Sequence, residues 1–237
     1  MEPEDDPDVG WVAALAGVSE PRARHAVGEA EGERALFRHL ERMHRLEGRR
    51  SYVEIDAPLE LYALVRILRP THVVEVGVSS GVSSAYLLRA MDRNERGTLH
   101  SVDLPKTAIR TRTGELSRNA SWSIPPGRSS GWAVPFRLRR RWDLRLGDKK
   151  EVLPLLGREL PTVGLFVYDV PHTETQAARD FAAVGRRMRA GAVAIADHGP
   201  GGGLCAPLRR WAVSRSALPV RRAGLGLYGF RAAQARR

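Results

Sequence analysis

Three carboxylates lie at or near the ends of three successive apolar runs in this sequence. Glu75 lies in the first run, Asp103 closes the second, and Asp148 follows the third. The carboxyl ends of parallel strands form the edge at which open α/β sheets bind nucleotide-like ligands. Each acid alone is typical of a protein surface or a helix cap, but three in this arrangement favour one shared binding site. There Asp103 could accept hydrogen bonds from ribose hydroxyls, and Asp148 could recognise an adenine amino group.

A glycine-rich turn joins the first apolar run to an amphipathic helix and reads EVGVSSG over residues 75–81. Glycine in such a turn lets the backbone approach a ligand closely. The spacing departs from the G-x-G-x-x-G of dinucleotide sites. Glu75 precedes the first glycine by two positions and would repel a pyrophosphate, whereas it would attract a sulfonium that also carries an ammonium group. The turn therefore favours a cationic ligand.

Two further runs end in carboxylates and imidazoles. Asp169 closes the fourth run with His172 three positions later, and Asp197 and His198 close the fifth. Because neighbouring parallel strands end at the same edge of a sheet, we expect these four side chains to converge. They could hold a hard divalent cation such as Mg²⁺, and His172 could act as a general base. Alternatively, the two aspartates orient loops and cap the following segments without an ion.

The elements that must position these residues follow from hydrophobic periodicity. Apolar residues at three- and four-residue steps predict helices, and short continuous apolar runs predict buried strands. Their alternation indicates a parallel sheet covered on both faces, and residues 218–230 predict a terminal hairpin. The predicted helices are 35–46, 58–68, 82–91, 150–156, 175–188 and 208–213, and the predicted strands are 73–76, 98–103, 143–146, 163–169 and 192–197.

Two segments fall outside this regular pattern. Residues 1 to about 30 mix acidic residues, proline and glycine, and we expect them to fray. We therefore divide the chain into a flexible segment and helical extension, 1–54, and an α/β domain, 55–237. Residues 104–141 form a connection longer than a compact domain needs, which predicts a lid or substrate loop. Its tryptophans, Trp122 and Trp132, are equally compatible with ordinary packing.

Composition bounds the classes of function. A chain of 237 residues can bury one substantial core. Its single cysteine, Cys205, excludes an internal disulfide and a cysteine cluster for zinc. No apolar run is long enough for a membrane span and the acidic start is unlike a signal peptide, so we expect a cytoplasmic protein. The net charge of +11, carried almost entirely by arginine, is compatible with a solvated basic surface, an anionic substrate or nucleic acid.

The ordered set of motifs resembles a known family. The motifs are VVEVGVSSGVSS, LHSVDLP, GWAVP, RWDLRLGD, LFVYDVPHT and AIADHG. In this order and spacing they are similar to class I S-adenosylmethionine-dependent methyltransferases, in particular to a bacterial small-molecule and natural-product O-methyltransferase-like subgroup. The similarity spans about residues 55–200. It implies a Rossmann-like α/β fold whose mostly parallel seven-stranded sheet has the order 3-2-1-4-5-7-6, with helices on both faces.

The resemblance also implies roles for individual residues. Residues 77–83 would hold the methionine end of S-adenosylmethionine, Asp103 the ribose and Asp148 the adenine. The full set of implied cofactor-binding residues is Glu75, Gly77, Ser79, Gly81, Ser83, Asp103, Asp148 and Asp169.

Comparison with the metal-dependent catechol and caffeoyl-CoA O-methyltransferases adds a metal. Those enzymes carry D-x-x-K on the fourth strand and Asp-Asn after the fifth. By this comparison Asp169, Asp197 and His198 would be Mg²⁺ ligands, and His172 would take the place of the lysine base. Three departures from those enzymes weaken the metal prediction. Pro171 stands where the relatives often carry an acid, His198 replaces an amide, and His172 replaces the lysine.

The resemblance favours methyl transfer to a hydroxyl of a small molecule, such as a natural-product intermediate or a sugar. Two alternatives stay open, the first of them because of the basic charge. One is an RNA methyltransferase, and the other is a protein that binds S-adenosylmethionine without catalysis. A homo-oligomer is compatible with the sequence.

Overall fold

The strands of this protein form one twisted layer with helices on both sides. The computed structural model describes residues 6–46, 57–104, 124–125, 127–170, 172–196, 206–214, 216–217, 219–222 and 227–233. Its helices are α1 (Val9–Ala16), α2 (Glu20–Glu31), α3 (Arg34–Leu46), α4 (Pro58–Leu68), α5 (Val82–Asn94), α6 (Lys149–Glu159), α7 (Glu174–Gly185) and α8 (Ala206–Val213). Its strands are β1 (His72–Val76), β2 (Thr98–Asp103), β3 (Trp142–Leu146), β4 (Val163–Tyr168), β5 (Met188–Ala196), β6 (Pro219–Arg221) and β7 (Tyr228–Arg231), and a 3₁₀ helix, η1, spans Phe136–Arg141.

The sheet has the order β3-β2-β1-β4-β5-β7-β6. The first five strands are parallel, and β7 pairs antiparallel with both β5 and β6. This confirms the predicted fold class and the terminal hairpin. Val76 at the end of β1 stands opposite Val102 and Tyr168 on the two neighbouring strands. The carboxyl ends of β1, β2 and β4 therefore meet at one edge, as the site requires.

The boundary between α7 and β5 differs from its prediction. The helix predicted to reach residue 188 ends at Gly185, and β5 begins at Met188 rather than at residue 192. The early part of β5 pairs irregularly, with a register shift where it faces Val163 and Leu165. Gly191 has φ +83° there, a conformation that favours glycine. Periodicity missed this section because its exposed Arg189 and Ala190 interrupt the apolar run.

The expectation that residues 1–30 fray is wrong for the part that the structure describes. Residues 9–16 and 20–31 form α1 and α2, and Asp8 caps α1 by accepting a hydrogen bond from the Trp11 amide at 2.8 Å. Trp11 is buried, and its indole nitrogen donates to the Val220 carbonyl at 3.0 Å. The buried apolar residues of both helices pack with α4 in one hydrophobic cluster. The acidic residues, prolines and glycines of residues 1–30 hid this packed extension from the sequence pattern.

Two hydrophobic cores cover the two faces of the sheet. One contains the buried side of α1–α5 together with β1 residues such as Val73, and the other contains the buried side of α6–α8 together with Val74 and Phe166. Alternate residues of β1 thus enter opposite cores, which fixes the register of this strand. Among the described residues, no helix is both long and apolar enough to cross a membrane.

Candidate functional site

Residues 77–81 form a tight loop at the carboxyl edge of the sheet. Gly77 and Gly81 have φ values of +94° and +91°, a region that residues other than glycine rarely adopt. A Cβ on Gly77 would overlap the carbonyl oxygen of Asp169, and a Cβ on Gly81 would meet the Val134 side chain at 2.5 Å. Both glycines are therefore needed by the fold of the loop, which is held between the end of β4 and residues 131–134. The loop backbone is fixed before any ligand arrives.

Glu75 lies beneath this loop and is 1% exposed. The hydroxyls of Ser84 on α5 and Ser101 on β2 donate to its Oε2 atom at 2.7 and 2.6 Å. Desolvating a carboxylate is costly, and these two short hydrogen bonds offset part of that cost. The charge of Glu75 is therefore held in place at the start of the loop, where the sequence predicted an attraction for a cationic ligand.

Asp103 ends β2 beside the same loop, and its Oδ2 accepts a hydrogen bond from the Ser79 amide at 3.1 Å. Burial raises the pKa of Asp103, and the Ser130 side chain and the backbone amides of Ser79, Leu104 and Val78 offset part of this increase. The role of Asp103 as an acceptor for ribose hydroxyls stays a prediction. The structure thus brings Glu75, Asp103 and the loop together.

Asp148 and Ser83 lie at the N-termini of two helices. Asp148 caps α6 by accepting from the Lys150 amide at 2.9 Å, and its side chain is exposed. Capping is the ordinary role that the sequence assigned to a single acid in this position. Ser83 is half-buried in the first turn of α5. Their cofactor roles stay predictions.

Asp169 and His172 follow β4. The Asp169 amide donates to the Val76 carbonyl at 2.9 Å, which ties the end of β4 to β1 beside the loop. His172 is 8% exposed, and its ring lies 5.1 Å from the Tyr168 ring. Its Nδ1 is 2.8 Å from the Val170 carbonyl oxygen, which can only accept, so Nδ1 carries a proton. In the neutral ring Nε2 is then the acceptor, and this buried atom has no hydrogen-bond partner among the described residues.

Asp197 and His198, the other predicted metal ligands, lie outside the described residues. Within the part of the chain that the structure describes, no three histidine, cysteine, aspartate or glutamate side chains are grouped so as to hold a metal ion. Asp169 is therefore the one member of the predicted set whose position is described. The Mg²⁺ site stays a prediction.

Part of the predicted lid packs against the loop of residues 77–81. The amides of Gly131 and Ala133 donate to the carbonyls of Ser79 and Ser80 at 2.8 and 3.0 Å. Trp132 is buried and packs against the His44 ring with the centroids 5.0 Å apart. Of the two roles left open for this tryptophan, the structure shows packing. Trp122 and residues 105–123 lie outside the described residues, so a lid stays a prediction there.

Sequence analysis missed a buried polar network next to Asp148. Lys149 lies 3.1 Å from the Asp180 carboxylate and donates to the Tyr168 hydroxyl at 2.6 Å, and this hydroxyl donates to Asp180 at 2.8 Å. Burial lowers the pKa of Lys149, although the charge of Asp180 partly opposes this effect. The three residues lie far apart in the sequence and have no common motif. The network joins α6, β4 and α7 directly behind the site.

Comparisons with known proteins identify a family and a fold. The family model described as "Methyltransferase domain" matches residues 74–198. No protein of curated function matches the sequence significantly.

Several solved structures share the fold. The O-methyltransferase TomG from Streptomyces achromogenes, involved in tomaymycin synthesis and solved with S-adenosylmethionine, is 18% identical over 85% of this chain and 90% of its own, with a TM-score of 0.55. The calicheamicin methyltransferase CalS11 is 15% identical over 96% and 94%, with a TM-score of 0.53. An O-methyltransferase from Bacillus cereus with S-adenosylhomocysteine is 15% identical over 81% and 90%, with a TM-score of 0.52.

Proposed function

Because this chain belongs to the methyltransferase-domain family, we propose that it transfers a methyl group from S-adenosylmethionine to a hydroxyl of a small molecule. The observation that carries the proposal is the contact between the loop of residues 77–81 and Asp103, above the buried charge of Glu75. Two of the structural neighbours were solved with S-adenosylmethionine or S-adenosylhomocysteine. Their resemblance in fold supports the same cofactor here.

The residues at this edge fit such a cofactor. The methionine end carries an ammonium group and a sulfonium, and the carboxylate of Glu75 adds negative charge beneath the loop that would receive them. A glycine turn lets a ligand approach its backbone closely, and the carboxylate of Asp103 could accept from ribose hydroxyls. When bound, the cofactor would supply a methyl group activated by positive sulfur.

The remaining chemistry is positioning and proton removal. In an in-line displacement the acceptor oxygen bonds to the methyl carbon while the carbon–sulfur bond breaks and leaves S-adenosylhomocysteine. The hydroxyl proton must go to a base. His172 donates from Nδ1 to the Val170 carbonyl, so in the neutral ring Nε2 is the nitrogen that can accept this proton. We assign His172 as the general base.

Cofactor binding is tested by calorimetry on Asp103→Asn, with Asp143→Asn as the matched control. Asp143 lies on the adjacent strand but accepts from His100 rather than from the loop. Losing a charge-assisted hydrogen bond should weaken S-adenosylmethionine binding about tenfold to a hundredfold in Asp103→Asn, with little change in the control. Because burial raises the pKa of Asp103, wild-type affinity should fall with decreasing pH before an ordinary aspartate, with a pKa of about 3.9, would titrate. A wild-type protein that does not bind S-adenosylmethionine would refute the proposal.

The base assignment is tested by mass spectrometry of methylated products from a panel of phenols and sugars. His172→Ala should lower the rate by about 10²–10⁴-fold while leaving S-adenosylmethionine affinity unchanged. A chelator should have little effect if His172 alone promotes the reaction. If chelation abolishes turnover instead, the predicted Mg²⁺ set of Asp169, Asp197 and His198 becomes the better account.

A further inference from the structure

An open groove of about 930 Å³ runs along the outer side of α3 and faces the start of η1. Arg38, Arg42 and Arg45 line one side, and Phe136 and Arg137 line the other. Small-molecule sites in proteins are typically about 300–1,000 Å³, so the groove has the size of one such ligand. None of these residues belongs to the cofactor loop or to the proposed base.

The groove carries an excess of positive charge. Arg38, Arg42 and Arg45 recur at four- and three-residue steps, which places their guanidinium groups on one helix face. Within the described residues, the guanidinium groups of Arg38, Arg42 and Arg137 have neither an ion pair nor a hydrogen bond to the protein.

Of the described residues that line the groove, Glu41 is the one acidic side chain. Glu41 approaches Arg45 at 4.0 Å, and the two side chains are 38% and 80% exposed, which makes a weak surface pair. Like charges so close together repel one another, and an anion would relieve that repulsion.

An aromatic ring stands among these cations. Phe136 is 88% exposed, so its ring is neither part of a core nor covered by the described chain. A flat apolar face between guanidinium groups fits a ligand that joins a planar ring to an anionic group, because the ring can stack while the anion pairs with arginine.

The groove adjoins the cofactor loop. Residues 135–137 directly follow residues 131–134, whose amides hydrogen-bond to the carbonyls of Ser79 and Ser80. From the other side, His39 on α3 lies 3.1 Å from the carbonyl oxygen of Ala133. Both walls of the groove are thus anchored to the segment that holds the loop, and a ligand in the groove would lie beside residues 131–134.

We infer that this groove binds the anionic end of the methyl acceptor, a diphosphate attached to a planar base as in a nucleoside diphosphate. The role as acceptor rests on the proposed function, whereas the binding itself does not. A single small molecule fits better than nucleic acid because surfaces for single strands carry several stacking aromatics in series. Phe136 is the one aromatic side chain that lines this groove in the part of the chain that the structure describes.

The test is calorimetry with uridine diphosphate, pyrophosphate and uridine, each in saturating S-adenosylhomocysteine so that the cofactor site is filled. The test variant is Arg38→Gln/Arg42→Gln. The control, Arg22→Gln/Arg24→Gln, removes the same charge from exposed positions on α2. We expect both anions to bind, uridine not to bind, and the groove variant to lose about tenfold or more in affinity while the control stays within about twofold. Phe136→Ala should weaken uridine diphosphate but not pyrophosphate.

Several results would overturn the inference. Absence of anion binding, or equal losses in the two double variants, would show that the groove is not a site. Binding of a single-stranded RNA whose affinity rises with its length, and which the groove variant abolishes, would assign the groove to nucleic acid instead. Since each titration contains S-adenosylhomocysteine, its own binding curve shows separately whether the cofactor site works. If S-adenosylhomocysteine binds but the anions do not, only the groove inference is refuted, and the proposed methyl transfer is not affected.

Discussion

Two groups of arginines in this protein have opposite surroundings. In the first, here called the Glu33 cluster, Arg66 pairs with Glu29 at 2.9 Å, and Arg89 and Arg93 pair with Glu33 at 2.9 and 2.8 Å. In the second, the groove along α3, Arg38, Arg42 and Arg137 have exposed guanidinium groups without a described partner. The comparison shows that a net charge of +11 indicates little about binding until the paired arginines are separated from the unpaired ones.

Burial explains why the arginines of the Glu33 cluster are paired and those of the groove are not. Glu33 is 6% exposed, and a carboxylate removed from water needs compensating charge and hydrogen bonds. The arginines of the Glu33 cluster supply them and join α2, α4 and α5. The groove arginines remain hydrated, so they stabilise nothing in the free protein and are available to a ligand. Substitutions in the Glu33 cluster should therefore change the stability of the protein, whereas substitutions in the groove should change ligand binding.

The largest effect on stability is expected at the most buried ion pair. Glu60 on α4 is 2% exposed, and its Oε1 accepts from Arg222 at 3.0 Å and from the Asp8 amide at 3.1 Å. Glu60→Gln removes the buried negative charge that Arg222 contacts and should lower the free energy of unfolding by about 3–5 kcal/mol, measured by urea denaturation. Glu41→Gln in the groove is the matched control and should change it by less than about 0.5 kcal/mol. Equal losses would contradict the comparison.

A smaller effect is expected for Glu33→Gln, about 2 kcal/mol, because Arg93 is half-exposed and water screens its charge. Burial alone would raise the pKa of Glu33, but hydrogen bonds from Arg89 and Arg93 and their charges outweigh it and lower the pKa. The contribution of Glu33 is therefore complete above the unfolded pKa of about 4.3 and is lost as pH falls through the folded value. The free energies of unfolding of the wild type and of Glu33→Gln, measured by urea denaturation, should therefore converge at acid pH. If the two free energies of unfolding differ by the same amount even in acid, the ion pairs of Glu33 are not the cause of the difference.

The smallest effect should have the opposite sign. Arg38→Gln/Arg42→Gln removes repulsion between like charges one helical turn apart, so the free energy of unfolding should rise by a few tenths of a kcal/mol, roughly 0.2–0.5. The gain should disappear at 1 M salt, where the screening length is about 3 Å. Thermal unfolding at two salt concentrations measures it. A clear loss of stability would mean that the groove arginines are structural after all.

The sequence by itself determined the strands of the sheet, and their order was implied by the resemblance of its motifs to a known family. The bounds of α4 and β2 agree with their predictions, and Asp103 lies beside the glycine loop as expected. These features follow from local pattern, since apolar runs and amphipathic periods report burial within one element. Parallel strands then bring the ends of successive elements to one edge, so that Glu75, Asp103 and Asp169 could be grouped without a structure.

Only the tertiary structure decided which charges are paired. Glu60 and Arg222 are separated by 162 positions, and Tyr168, Lys149 and Asp180 meet without any common motif. Likewise, α1 and α2 are ordered through contacts with α4 and β6 that their own composition does not announce. A pattern of residue types shows where a side chain can be exposed, but the strength of a charge depends on its neighbours in space and on the water left around it. That is why the arginines of α3 look like any other solvated helix face in the sequence, and form a cationic groove only once η1 is packed beside them.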